Sequence, residues 1–211
     1  MKYKVAVFDC DGVLINSEIS NRLYYNELLK RVGRSLLTDE EFSFVHAHTA
    51  EESVEYLFRE ELELSSAWRD MAMIEMKKLS YNDYLDLLEL EPGVREVLLD
   101  IRPPLKTAIF TNRTTTMPRI TERFMFDTLF DCIKTALDVK RPKPDPGGLI
   151  EIMDLFCATP NELVYVGDTR VDELVARAAG VDFIAYKNKE LNAMFHVKHF
   201  SEIGYFLKKD E

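Results

Sequence analysis

Cysteine is scarce in this 211-residue chain: Cys10, Cys132 and Cys157 are far apart and odd in number, and no C-x-x-C occurs. That pattern offers neither a disulfide framework nor the usual zinc spacing, and it fits a reducing cytoplasm. Basic charge is also short, with 27 Lys and Arg against 37 Asp and Glu and a formal net charge of -10. Such a balance argues against the broad positive footprint of a nucleic-acid binder. It does not exclude an anionic substrate, because the local charge in a cleft counts for more than the total. No run is long and apolar enough to cross a membrane. The N-terminal MKYKVAVFDCDG has an apolar run too short for a signal peptide, and acid follows at once. Internal repeats and low-complexity tracts are absent. Hydrophobic residues nonetheless make up 46% of the chain, enough for one sizeable domain or a core with a small insert.

Four short runs read as strands buried on both faces: Val5-Ala6-Val7-Phe8, Thr107-Ala108-Ile109-Phe110, Leu163-Val164-Tyr165-Val166 and Phe183-Ile184-Ala185-Tyr186. Each is apolar without clean alternation. Cys132–Leu137 is a weaker fifth, and the segment around His196 and His199 reads as a strand and turn before a C-terminal helix. Between the strands lie helical patterns. Val94, Val97, Leu98 and Ile101 follow Pro92-Gly93; Val171, Leu174, Val175 and Ala178 precede Gly180. Asp145-Pro146 reads as an N-cap and first helical residue leading into Leu149, Ile152, Met153 and Phe156. Strands alternating with helices predict a parallel sheet with helices on both faces. Residues 15–90 break the rhythm. They contain no convincing strand, and helices are expected from Asn16 or Ser17 to Gly33 and over 39–46, 50–63 and 66–88. The expected organisation is an α/β core, residues 1–14 and 91–211, interrupted by an all-helical insert over 15–90.

Four motifs sit where such a sheet would present them. Asp9-x-Asp11 follows the first strand, and residues i and i+2 of an extended segment point the same way; the pair suits either the ligand crevice of an open α/β sheet or a solvated Asp-Gly turn. Thr111-Asn112 follows the second run and can hydrogen-bond an anion or cap a helix. Lys143, between Pro142 and Pro144, is either a stiffly held charge for a phosphate or part of a basic surface loop. Gly167-Asp168-Thr169-Arg170-Val171-Asp172 either sends two acids to the same crevice or makes a capping box. Together they gather Asp9, Asp11, Asp168 and Asp172 opposite Lys143. Four close carboxylates do not all stay ionised without a cation, and an oxygen-only ligand set suggests Mg²⁺.

The order DxDG, T-N, K-P and GDxxxD resembles the haloacid dehalogenase superfamily. The insert position and EPGV at 91–94 are similar to its helical-cap branch of phosphoglycolate phosphatases and β-phosphoglucomutases. The resemblance implies a Rossmann-like three-layer α/β/α core and an Mg²⁺-dependent phosphatase of a small phosphorylated metabolite, a cytoplasmic monomer or weak homodimer without nucleic-acid or membrane partners. By position, Asp9 would be the nucleophile and Asp11 the general acid/base. Thr111, Asn112, Arg113 and Lys143 would hold the phosphoryl group. Asp9, Asp11 (through its backbone carbonyl) and Asp168 would bind the metal, with Asp172 supporting. Dehalogenases of the superfamily lack the second aspartate, so dehalogenation is not expected. A phosphosugar mutase and a catalytically silent binder are the alternatives, the intact acids and lysine speaking against the second. The chain departs from the pattern at Asn16, where many relatives have Asp, and in the loop around His46 and His48, which lacks the glycine common there. Those histidines read as solvated loop residues, Arg113 and Arg170 as surface or structural arginines, and Trp68 with Met71, Met73 and Met76 as core of the insert.

Overall fold

The computed structural model describes residues 2–60, 65 and 67–208. The chain forms two compact units, Met1–Asn16 with Leu90–Glu211, and Ser17–Glu89.

The α/β unit begins with β1 (Val5–Phe8). After the insert it continues through α5 (Val94–Ile101), β2 (Lys106–Phe110), α6 (Met117–Phe124), α7 (Phe126–Leu129), β3 (Cys132–Lys134), α8 (Gly147–Leu155), β4 (Leu163–Gly167), α9 (Arg170–Ala179), β5 (Asp182–Tyr186), β6 (Phe195–Val197) and α10 (Phe200–Lys208). The sheet order is β3-β2-β1-β4-β5-β6. All pairings are parallel, with Val5 opposite Lys106 on one side and Leu163 on the other. The strand order turns around at β1, so the carboxyl ends of β1, β2 and β4 open into one crevice.

The strands lack alternation because both faces are covered. Val5, Val7, Ala108, Phe110, Leu163 and Tyr165 pack with Leu149 and Ile152 of α8 and Val175 and Ala176 of α9. On the opposite face Phe8 stacks on Phe200 at 5.7 Å and meets Phe130 edge-on at 6.1 Å. The weak fifth strand is real but short. After Lys134 the backbone turns, Thr135 donating from N and Oγ1 to Asp138 Oδ2 at 2.8 and 2.6 Å. The helix expected from Pro146 begins one residue later, Asp145 Oδ1 accepting from Gly147 N at 3.0 Å.

In the helical unit the elements are α1 (Glu18–Arg31), α2 (Asp39–Ala47), α3 (Ala50–Leu57) and α4 (Ala67–Lys78). The expectations over 61–63 and at 66 lie outside the described residues. The predicted 66–88 helix is corrected: α4 stops at Lys78, Ser80 is extended, and Tyr81–Leu87 forms a 3-10 helix. Ser80, Asn82 and Asp83 are weak helix formers that compete for their own backbone groups. Thr38 and Thr49 open α2 and α3 with capping boxes. The unit's core joins Tyr24, Tyr25, Leu28, Leu29, Phe42, Val54, Phe58 and Met76, with Trp68 and Met73 against it. His46 is no solvated loop residue. It lies on α2, where its Nδ1 accepts from Asn21 Nδ2 at 3.0 Å, and Asn21 Oδ1 accepts from Tyr81 at 2.5 Å. His48 stacks on Phe44 and reaches the Phe44 carbonyl at 2.9 Å. Among the described residues no helix is long and apolar enough to cross a membrane.

Candidate active site

Asp9 leaves β1 at the crevice, buried, and its Oδ1 accepts from Lys143 Nζ at 2.7 Å. Lys143 is 2% exposed and comes from a Pro-flanked loop that the sequence separates from Asp9 by 134 residues. Its ammonium also donates to Asp172 Oδ1 at 2.7 Å and to Tyr165 Oη at 3.0 Å. All three of its bonds are therefore spent, and its orientation is fixed. Burial works against its charge, but Asp172 and Asp9 outweigh burial and hold it protonated above the usual lysine range.

Asp172 is saturated. Its Oδ1 takes Lys143 and, at 2.8 Å, the Tyr165 hydroxyl; its Oδ2 takes Thr169 N at 3.1 Å and Thr169 Oγ1 at 2.5 Å. Burial would raise its carboxyl, but Lys143 and these hydrogen bonds hold it below the usual range. It is thus both the N3 acid of the α9 capping box and the anchor of Lys143. The two readings of GDxxxD both hold.

Asp168 is the opposite case. Its Oδ1 is buried and meets no hydrogen-bond donor. Burial and the nearby charges of Asp172 and Asp9 push its carboxyl well above the usual range. Its backbone carbonyl is held by Asn188 Nδ2 at 2.9 Å. A carboxylate oxygen without a donor is costly unless a cation meets it. Ligand atoms of Asp9, Asp168 and Asp172 lie within 4.8 Å of one another. An all-oxygen set of this span fits a hard divalent cation. Since Asp172 is already saturated, Asp9 and Asp168 are the carboxylates with capacity left. For Asp9, burial raises the carboxyl, Lys143 lowers it, and Asp172 and Asp11 raise it again, leaving it at about 7.

Two glycines make this convergence sterically feasible. Gly12 has φ +74°, and a Cβ there would stand 2.1 Å from Asp168 Oδ2. A Cβ on Gly167 would stand 2.3 Å from the Cβ of Asp172.

Both oxygens of Asp11 are taken by Arg113, Nε to Oδ2 and Nη2 to Oδ1, each at 2.6 Å. Of the two readings of Arg113, surface or structural, burial sets the first aside: its side chain is 8% exposed, and Nη1 reaches Thr116 Oγ1 at 3.2 Å. The Asn112 side chain spans the Lys143 backbone, Oδ1 accepting from Lys143 N at 2.9 Å and Nδ2 donating to Lys143 O at 3.1 Å. Thr111 is buried beside them, its Oγ1 accepting from Arg113 N at 3.1 Å. Tyr165 was missed altogether. Its signal was a hydroxyl in the otherwise apolar strand LVYVG. Arg170 is on the surface and pairs with Glu173.

A family model described as haloacid dehalogenase-like hydrolase matches residues 6–186. The chain belongs to this family. Haloacid dehalogenase-like hydrolases similar to it include one of subfamily IA, variant 1, from Geobacter sulfurreducens PCA. That crystal structure is 31% identical, with a TM-score of 0.77 and coverage of 98% of this chain and 97% of that one. A protein of Caldanaerobacter subterraneus subsp. tengcongensis named as a candidate pyrophosphatase, PpaX, is 28% identical over 89% of this chain and 83% of its own length. The phosphoglycolate phosphatase of Pseudomonas putida is 28% identical over 86% of this chain and 68% of its own. The α/β/α fold and the hydrolase assignment expected from the four motifs agree with this family.

Proposed function

We propose that this haloacid dehalogenase-like hydrolase is a phosphatase of a small phosphomonoester, working through an aspartyl-phosphate on Asp9. One observation carries the reading: a buried carboxylate at the end of β1, oriented by Lys143, stands within ion-sharing distance of Asp168, whose buried oxygen has no donor. An Asp9 oxygen would attack phosphorus as the P–O bond to the leaving group breaks. Asp11 would give its proton to that leaving oxygen, then take one from the water that cleaves the aspartyl-phosphate and frees inorganic phosphate. Lys143 would neutralise the attacking carboxylate and a phosphoryl oxygen, while Thr111 and the backbone N–H groups after it would hold the remaining oxygens. Asn112 would act mainly by fixing the Lys143 loop.

Asp9 and Asp168, with the Asp11 carbonyl, would hold Mg²⁺, which supplies positive charge for the phosphoryl oxygens. The helical unit would serve as the cap that selects substrate.

A phosphate-release screen over sugar phosphates, phosphoglycolate and nucleotides, with Mg²⁺ and with chelator, tests the proposal. Release from at least one, lost with chelator and in Asp9→Asn, is the expected outcome. Undiminished release from D9N would overturn the nucleophile; transfer to a second hydroxyl without release would make the protein a mutase.

A further inference from the structure

The reaction outlined above gives no role to Arg113, which is paired with Asp11. The geometry of the pair is that of a bidentate fork: two parallel N–H···O bonds of 2.6 Å between side chains 8% and 10% exposed. Such forks fix orientation as well as charge. Arg113 is itself held at its third nitrogen by Thr116, at 3.2 Å, and its backbone N–H is held by Thr111 Oγ1 at 3.1 Å. The guanidinium is therefore anchored to the loop after β2, which also carries Thr111 and Asn112. Through it the carboxyl group of Asp11 is tied to the phosphoryl-holding loop rather than to its own strand.

We infer that Arg113 is a positioning residue for Asp11, setting where its carboxyl group stands relative to the scissile oxygen. The inference rests on the reading of Asp11 as acid and base. In the resting arrangement both Asp11 oxygens accept from the guanidinium, so one arm of the fork must open to free an oxygen that takes a proton from solvent and passes it to the leaving group, while the other arm keeps the carboxyl on station. A lysine at 113 supplies one point donor where the fork supplies two, and cannot do both. Arg113 acts through Asp11, so its contribution disappears when Asp11 can no longer transfer a proton.

The test is a double-mutant cycle of D11N and R113A, read as kcat for two aryl phosphates in saturating Mg²⁺. Phenyl phosphate has a leaving group that needs a proton, and p-nitrophenyl phosphate one that does not. R113A is expected to lower kcat for phenyl phosphate about 10- to 100-fold, part of the 10²–10⁴-fold that a proton-transfer group supplies. The loss with p-nitrophenyl phosphate is several times smaller. In the D11N background R113A costs less than about threefold, and methylguanidinium restores phenyl phosphate turnover to R113A but not to D11N/R113A. If R113A does not fold, R113K takes its place in the cycle, with the same non-additivity expected. Equal losses on both substrates, or a full second loss in the D11N background, would make Arg113 a merely structural residue and overturn the inference. D11N turning over phenyl phosphate at the unsubstituted rate would instead overturn the role of Asp11 itself, a separate failure.

Discussion

Replacing Lys143 with methionine removes the cation shared by two buried carboxylates while keeping most of the side chain's volume. Asp172, fully buried, would keep its bonds from Tyr165 and Thr169 but lose the ammonium at 2.7 Å; Asp9 would lose its partner at the same distance. Removing one member of a buried ion pair costs about 3–5 kcal/mol, because the other is left charged without compensation. At about 2–4 °C per kcal/mol for a chain of this size, K143M should melt about 6–20 °C lower in chelator at pH 8. The loss should shrink with acid. Asp9 already has its carboxyl raised to about 7, mainly by burial. A raised acid favours the folded state below its unfolded value, near 3.9, and loses that contribution as pH climbs through about 7. Without Lys143 the window moves higher, so near pH 5.5 Asp9 is protonated and asks for no cation. Asp172 has the opposite sign in the intact protein: its carboxyl is held low, so it stabilises above the unfolded value and fails as pH falls. In K143M that protection is gone. Calorimetric melting of both proteins at pH 5.5 and 8 reads the difference directly. A melting point within about 2 °C of the unsubstituted protein at both pH values would refute the buried ion-pair account.

In the proposed reading a divalent metal would compete with the protons on Asp9 and Asp168, both of whose carboxyls are raised, so Mn²⁺ affinity by titration calorimetry should rise with pH; affinity unchanged between pH 5.5 and 8.5 contradicts this. Gly12→Ala puts a Cβ 2.1 Å from Asp168 Oδ2 on a backbone at φ +74°; the strained residue costs about 1–3 kcal/mol, and metal affinity falls with Asp168 displaced, whereas normal Mn²⁺ binding would count against the close approach. Asn112→Ala strips both bonds from the Lys143 backbone, costing about 1–3 kcal/mol for each buried group left unpaired. Asn112→Ala should melt lower by calorimetry, and an unchanged melting point would count against the clamp.

The α/β core was legible because its strands are apolar on both faces. Val7 and Phe8 are neighbours in sequence, yet one packs under α8 and α9 and the other against Phe200. Gly93 and Gly180, both at positive φ, mark a helix start and a helix end where a side chain would be strained. The acids were legible as a set because their motifs follow strand ends, and Lys143 because its Pro-flanked loop opens a helix after the weak strand. The pairings within the set were not, since Asp11 and Arg113 are 102 positions apart and neither periodicity nor spacing links them. Asn112 illustrates the same limit: an amide after a strand suits an anion, but its actual partner is the backbone of a loop 31 residues on. The break at Ser80 was carried by propensity that the surrounding Leu and Met pattern masked. The capping boxes at Thr38 and Thr49 needed only the Thr-x-x-Glu spacing to be found.

The charge balance of the crevice explains why these residue types belong together. Asp9, Asp11, Asp168 and Asp172 stand against two cations, Lys143 and Arg113, and each cation has a fixed address: Lys143 between Asp9 and Asp172, Arg113 on Asp11. Asp168 keeps a buried oxygen that no donor meets. In the proposed reading a divalent ion would supply the shortfall of two positive charges at Asp9 and Asp168, the carboxylates with capacity left. A second lysine beside Asp168 would balance less of that charge and would occupy the space that Gly12 keeps clear. Placing one there, by Gly12→Lys, should therefore abolish Mn²⁺ binding in titration calorimetry. Retained stoichiometric binding in that variant would mean that the ion's seat is elsewhere.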